Sequence, residues 1–230
     1  MSIWTRGAKE SKMTYFKDRR DAGKKLAQKL MHYAGLPDVL VLALPRGGVP
    51  VGYEVAQALN VPLDILIVRK LGLPGREELA IGAIASGGIR VLNTDIIRML
   101  NIPEEVINIV ASRELQELQR REHSYRGGLP TPEVRDHTVI LVDDGLATGA
   151  SMRAAVEGMR TQHPARIVVA VPTAATEVCE AFRYEVDEIV CAQTPEPFLG
   201  VGRWYEDFSQ VSDEDVRVLF EQANRQVLNG

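Results

Sequence analysis

At 230 residues, 45% of them apolar, the chain has material for one α/β domain with a small appendage. Its net charge of −4 argues against nucleic acid as the main partner. The opening Met-Ser-Ile-Trp-Thr-Arg-Gly lacks the apolar core of a secretory signal, and runs such as 39–44 are far too short to span a bilayer.

The basic stretch from Arg6 to Lys29 reads as the solvated face of an amphipathic helix, whose apolar side over 18–34 carries Leu26, Leu30, Met31 and Ala34. Residues 39–44 form a fully buried strand, broken by Pro45-Arg46-Gly47-Gly48 and followed by a helix over 51–59. A second buried strand spans 63–68 and ends on Arg69-Lys70. The Gly-, Pro- and charge-rich stretch 71–79 has no periodicity and reads as a mobile loop. Two short strands, 81–86 and 89–93, flank a Gly87-Gly88 turn. Pro103 suits a first helical position, with Glu104 and Glu105 behind it, and that helix runs to about Glu122. A strand ending at Asp143, a helix over 151–161, a strand over 166–171, a helix near 174–183 and a strand over 187–191 follow. This alternation predicts a parallel, doubly wound sheet that binds ligands at its strand C-termini. The core covers about 18–192, and a small hood covers 193–230. In the hood, Phe198, Trp204, Tyr205 and Phe208 are either a lid over a ligand or the anchor of a last helix, which starts near Asp213 behind Ser212 as N-cap. Cys179 and Cys191 lie in no metal-ligand pattern, so a reduced, cytoplasmic protein is expected. The histidines His32, His123, His137 and His163 are scattered without ligand spacing.

The most chemically specific stretch is 139–151, Val-Ile-Leu-Val-Asp-Asp-Gly-Leu-Ala-Thr-Gly-Ala-Ser. Four apolar residues deliver two adjacent carboxylates, Asp143 and Asp144. Gly145, Leu146, Ala147, Thr148, Gly149, Ala150 and Ser151 then lead into a helix. Loop N–H groups, the two hydroxyls and the positive end of the helix dipole suit a phosphate. The carboxylates suit vicinal sugar hydroxyls, through charge-assisted hydrogen bonds. A strand-to-helix turn with Asp as N-cap accounts for one acid, not for two before Thr-Gly-x-Ser. At the same sheet edge, Gly47 and Gly48 let backbone N–H groups face an anion, and Arg46 supplies a fixed cationic fork. The absence of Gly-x-x-x-x-Gly-Lys-Ser/Thr and Gly-x-Gly-x-x-Gly disfavours a P-loop nucleotidase and a dinucleotide oxidoreductase.

The 139–151 segment resembles the 5-phosphoribosyl-1-pyrophosphate (PRPP) loop of type I phosphoribosyltransferases. Residues 43–50 resemble the pyrophosphate loop of their xanthine- and hypoxanthine-type members. The resemblance extends over about 18–208 and is greatest to bacterial phosphoribosyltransferase-domain proteins known only provisionally as enzymes. It implies a PRPP-dependent transfer of the phosphoribosyl group to a purine-like base or related acceptor, with release of pyrophosphate. Mg²⁺ would be held chiefly by the ligand and waters, with Asp143 and Asp144 as the chain's own candidate contacts. The resemblance assigns the ribose hydroxyls to the two acids, the 5′-phosphate to 147–151 and the pyrophosphate to Arg46, Gly47, Gly48 and Lys70, with Arg76, Glu77 and Glu78 as further candidates in a closing loop. It also implies a homodimer. Ala147 stands where many 6-oxopurine enzymes carry Asp, as in adenine enzymes, whereas the Arg-Gly-Gly loop is of 6-oxopurine type. The base therefore stays open. Phe198 and Trp204 are candidates to stack on the acceptor or to pack the last helix. A non-catalytic sensor of PRPP or nucleotide, and a phosphosugar phosphatase or phosphorylase on the same fold, are the alternatives.

Overall fold

A computed structural model describes residues 15–227; the opening heptapeptide and the part of the basic stretch before residue 15 lie outside the described residues. The buried apolar runs pair into one parallel sheet. β1 (Val39–Ala43) lies between β2 (Leu63–Ile65) and β6 (Thr138–Val142), and β7 (Arg166–Thr173) and β8 (Glu188–Gln193) extend it to the order β2-β1-β6-β7-β8. An all-parallel sheet is covered on both faces, which is why its strands are continuous apolar runs rather than alternating ones. Val39, Val41 and Ala43 share one core with α1 (Arg19–Lys29), α2 (Gly48–Leu59), α4 (Glu104–Arg126) and α7 (Asp213–Val227). Leu40, Leu42 and Leu44 face the other way, onto α5 (Ala150–Arg160) and α6 (Thr176–Phe182). β1 and β6 run in register to Ala43↔Val142, and the Leu44 N–H donates to the Val142 carbonyl at 2.8 Å. The loops that follow these two strands therefore leave the sheet side by side.

The stretch read as a mobile loop is folded. β3 (Val68–Leu73), β4 (Arg76–Ala85) and β5 (Ile89–Leu92) make a separate three-stranded antiparallel sheet. Leu71 and Ile81 are fully buried in the same core as Leu118 of α4. The pairing slips in register on both sides of Gly72, where an added Cβ would lie 2.6 Å from the Glu77 carbonyl oxygen. That bulge removes the alternation by which a strand is recognised. The strand expected over 63–68 is divided in two. The chain leaves the main sheet after Ile65, and the Ile67 N–H donates to Ser86 Oγ at 2.9 Å where it enters the second sheet.

Two helix boundaries also differ. Pro103 is the N-cap of α4 rather than its first residue, and α4 continues to Arg126, where Gly127 in the left-handed region (φ 58) ends it. A short helix, α3 (Thr94–Met99), was not anticipated; the Asn93 side chain caps it by accepting from the Ile96 N–H at 3.1 Å. Ser212 does cap α7, its hydroxyl accepting from the Asp215 N–H at 3.1 Å. Cys179 and Cys191 are bonded to one another, against the expectation of two reduced thiols. α6 folds back over β8 and brings their Cα atoms to 6.8 Å, a proximity that spacing in the sequence does not encode. Among the described residues no helix is long and apolar enough to cross a membrane.

The C-terminus of α4 is pinned by a buried ion pair. Arg126 Nη1 lies 2.7 Å from Asp64 Oδ1, and Nη2 donates to the Ile65 carbonyl at 2.7 Å. Burial holds the Asp64 carboxyl above its ordinary range even though Arg126 draws it down. Arg126→Ala is expected to cost about 3–5 kcal/mol in urea unfolding, because it strands a buried carboxylate, whereas Arg126→Met with Asp64→Leu recovers most of that loss. A cost below about 1 kcal/mol, the level of an exposed pair, would show that the pair does not anchor the helix.

Candidate active site

Where β6 ends, Asp143 and Asp144 lie partly buried at the sheet edge. Asp143 Oδ1 accepts the Asp144 N–H at 2.8 Å. Asp144 Oδ2 accepts from Arg19 Nε at 2.8 Å, and the Asp144 carbonyl accepts the Tyr205 hydroxyl at 2.6 Å. Burial, then the neighbouring Asp144 charge, pushes the Asp143 carboxyl well above the usual carboxylate range. Asp144 is also raised by burial, with the Arg19 guanidinium opposing the rise. Sequence reasoning missed Arg19 by placing it on a solvated helix face. Its side chain is only 11% exposed. The Asp18 cap immediately before it, which starts α1, was the local signal available.

The pyrophosphate-type loop lies directly against this acid pair. An added Cβ on Gly47 would run into Asp144 Oδ2, and one on Gly48 would lie 2.7 Å from the Val142 carbonyl and 2.9 Å from Asp143 Cα. Only glycine admits such an approach. The Pro45–Arg46 peptide is cis. Arg46 is 38% exposed, with Nη1 3.9 Å from Asp213 Oδ1 at the start of α7.

The phosphate-type loop is tethered at its centre and open at its tip. Buried Leu146 donates its N–H to the Thr173 carbonyl at 2.9 Å and accepts from the Ala175 N–H at 3.1 Å. Gly145 packs under Val201, where a Cβ would meet a methyl at 2.6 Å, and Gly149 takes φ +73 at the head of α5. Ala147, Thr148, Ala150 and Ser151 are exposed there. Arg153 Nη1 holds the Thr148 carbonyl at 2.8 Å. Asp143, Asp144, the glycine loop and the phosphate-type loop are thus brought together at one sheet edge.

Lys70 is brought only part of the way. It projects from β3 into a cleft of about 560 Å³ that it shares with Ala150 and Ser151, while Arg46, Asp143 and Asp144 lie outside that lining. Its Nζ is 3.4 Å from Glu78 Oε2. Arg76 and Glu77 are exposed beside the hairpin turn. Trp204 is buried with Phe16, Ala22 and Tyr205, and Phe198 packs against that cluster. Trp204 therefore secures the N-terminal lead-in rather than the last helix. Its indole Nε1 has no hydrogen-bond partner among the described residues. Also among the described residues, no group of three or more His, Cys, Asp or Glu could hold a metal ion. Two carboxylates suit a hard cation that keeps its waters and arrives with phosphate ligands.

A family model described as the phosphoribosyl transferase domain matches residues 15–196. Proteins of Mycobacterium tuberculosis strains CDC 1551 and H37Rv, provisionally named phosphoribosyl transferases, are 43% identical over 213 residues, which is 93% of this chain and 48% of each relative. The chain thus spans about half the length of these relatives. The crystal structure of TT1426 from Thermus thermophilus superposes with a TM-score of 0.81 at 41% identity, covering 91% of this chain and 99% of that one.

The buried Asp143 carboxyl has a consequence for stability. Because the folded state holds its proton more tightly than the unfolded chain does, stability falls as pH rises from the ordinary carboxylate range through the raised folded value. Asp143→Asn keeps the acceptor for the Asp144 N–H and removes that penalty. It is expected to raise the thermal midpoint at pH 7 by about 2–4 °C, the effect of roughly 1 kcal/mol in a domain of this size. The gain should fade as the pH approaches about 4. A lower midpoint at pH 7 would mean that the charge is better solvated than its burial indicates.

Proposed function

We propose, on the premise that the chain belongs to the phosphoribosyl transferase domain family, that it transfers the phosphoribosyl group of Mg²⁺-bound PRPP to a purine-like base or related acceptor and releases pyrophosphate. The observation that carries this reading is the contact of the Arg46-Gly47-Gly48 loop with Asp144. A diol-binding carboxylate and a pyrophosphate-binding loop that touch one another suit a ligand whose ribose and pyrophosphate are joined at one carbon.

In this reading Asp144 and Asp143 accept hydrogen bonds from the ribose hydroxyls and fix the sugar ring. The N–H groups of 147–151 and the Thr148 and Ser151 hydroxyls take the 5′-phosphate at the head of α5. With both ends of the ribose held, the anomeric carbon faces the acceptor in one orientation. Charge that develops on the departing pyrophosphate meets the Arg46 fork and the Gly47 N–H. The Gly48 N–H, expected to face the anion as well, instead donates to the Leu44 carbonyl at 3.0 Å, where it closes the turn into α2. Lys70 joins them once the β3–β4 hairpin carries it from its present cleft toward Arg46. Mg²⁺, when bound with the ligand, would be held by phosphate oxygens, waters and the two aspartates, and would neutralise phosphate charge.

A non-catalytic sensor of PRPP or nucleotide uses the same ribose and phosphate contacts, and the distance of Lys70 from the acid pair favours it. Pyrophosphate release in the presence of a panel of bases separates the two. Mg²⁺ and PRPP titrated by calorimetry test both. Asp143→Asn or Asp144→Asn is expected to weaken binding about 10- to 100-fold, as for one charge-assisted hydrogen bond. Unchanged affinity in both variants sinks the site, and binding without pyrophosphate release for any base moves the sensor ahead.

A further inference from the structure

Arg19 reaches the acid pair from the far end of the chain, 125 residues from Asp144. Its guanidinium is held from three directions. Nε donates to Asp144 Oδ2 at 2.8 Å, Nη1 donates to the Ser209 carbonyl at 2.7 Å, and the Phe208 ring centre lies 3.9 Å from Cζ. The backbone on either side is also in register. The Phe16 N–H donates to the Trp204 carbonyl at 2.9 Å, the Glu206 N–H to the Phe16 carbonyl at 2.8 Å, and the Asp207 N–H to the Lys17 carbonyl at 2.9 Å. Phe208 is seated in turn on Gly202, where a Cβ would lie 2.7 Å from its ring. The residues that set Arg19 are therefore a ladder and an aromatic seat in the C-terminal segment, and the residue that Arg19 sets is a carboxylate of the site.

The two adjacent carboxylates repel one another, and Arg19 fixes Oδ2 of Asp144 beside Asp143. The same Nε lies 3.3 Å from where a Gly47 Cβ would be, so the guanidinium also borders the pyrophosphate-type loop. A cation that only tied two surface segments together would gain little from a position this buried between the acid and the loop.

We propose that Arg19 is a positioning residue for the sugar-binding carboxylate, and that residues 204–209 act on the bound ligand through it. This rests on the phosphoribosyl-binding reading of the site. The C-terminal segment, on this account, sets affinity without touching the ribose, by seating the guanidinium that aims Asp144.

A double-mutant cycle read by calorimetry tests the coupling, with Mg²⁺ and PRPP titrated into the wild type, Arg19→Gln, Phe208→Ala and the double variant. Arg19→Gln is expected to weaken binding about 10- to 100-fold, and Arg19→Lys to recover part of the loss, because it restores a charge that a purely structural role would not require. Phe208→Ala is expected to weaken binding about 3- to 10-fold in the wild-type background and by less than about twofold in Arg19→Gln. Independent, multiplying effects overturn the coupling while leaving the functional reading in place. Should Arg19→Gln fail to fold, the same comparison is made in Arg19→Lys. If the wild type binds neither PRPP nor guanosine 5′-monophosphate, which presents the same diol and 5′-phosphate, the functional reading and this inference fall together.

Discussion

The approach of two strand-end loops, too close for a single Cβ between them, sets the geometry on which the site depends. β1 and β6 are neighbours in register, so the turns that leave them must share the space above Ala43 and Val142. One turn brings two carboxylates and the other brings Gly47 and Gly48. Together they place the Arg46-Gly47-Gly48 turn against two carboxylates in a partly buried setting where solvent screens charge poorly.

Such a setting is costly to the free protein. Asp143 stays near Asp144 in spite of desolvation and like-charge repulsion, and among the described residues only Asp144 of the two is directly bonded to a cation. Function and stability pull in opposite directions at this edge, as is common where binding groups are preorganised. The compensation comes from elsewhere: strands buried on both faces, and the packing of Trp204 and Tyr205 on Phe16, which sets the N-terminal lead-in beside the segment whose Tyr205 hydroxyl bonds the Asp144 carbonyl.

Local features were the legible ones. The apolar runs 39–44, 139–142 and 166–171 were readable because a parallel strand has no wet face to interrupt it. Asp143, Asp144, Gly145 and Gly149 were readable because the acids and the loop are consecutive. Arg19 and Asp213 were not, since each reaches the site through tertiary packing and leaves no periodic trace. The aromatic cluster near 198–208 was visible in the sequence, but its partner was not: Trp204 packs with Phe16 and Ala22, from the opposite end of the described chain. Of the second sheet, the strands expected over 81–86 and 89–93 are present, while β3 and the start of β4 escaped notice because the slip at Gly72 cancels the alternation on which strand recognition relies.

That second sheet changes what movement over the site would require. An unstructured loop closing on a ligand must give up much of its conformational freedom, at about 1–2 kcal/mol for each residue fixed. Here Val68–Leu73 and Arg76–Ala85 are already hydrogen-bonded to each other, and Leu71 and Ile81 are already in the core. Moving this hairpin would therefore cost chiefly the packing of Leu71 and Ile81 that it breaks, with only a small ordering term.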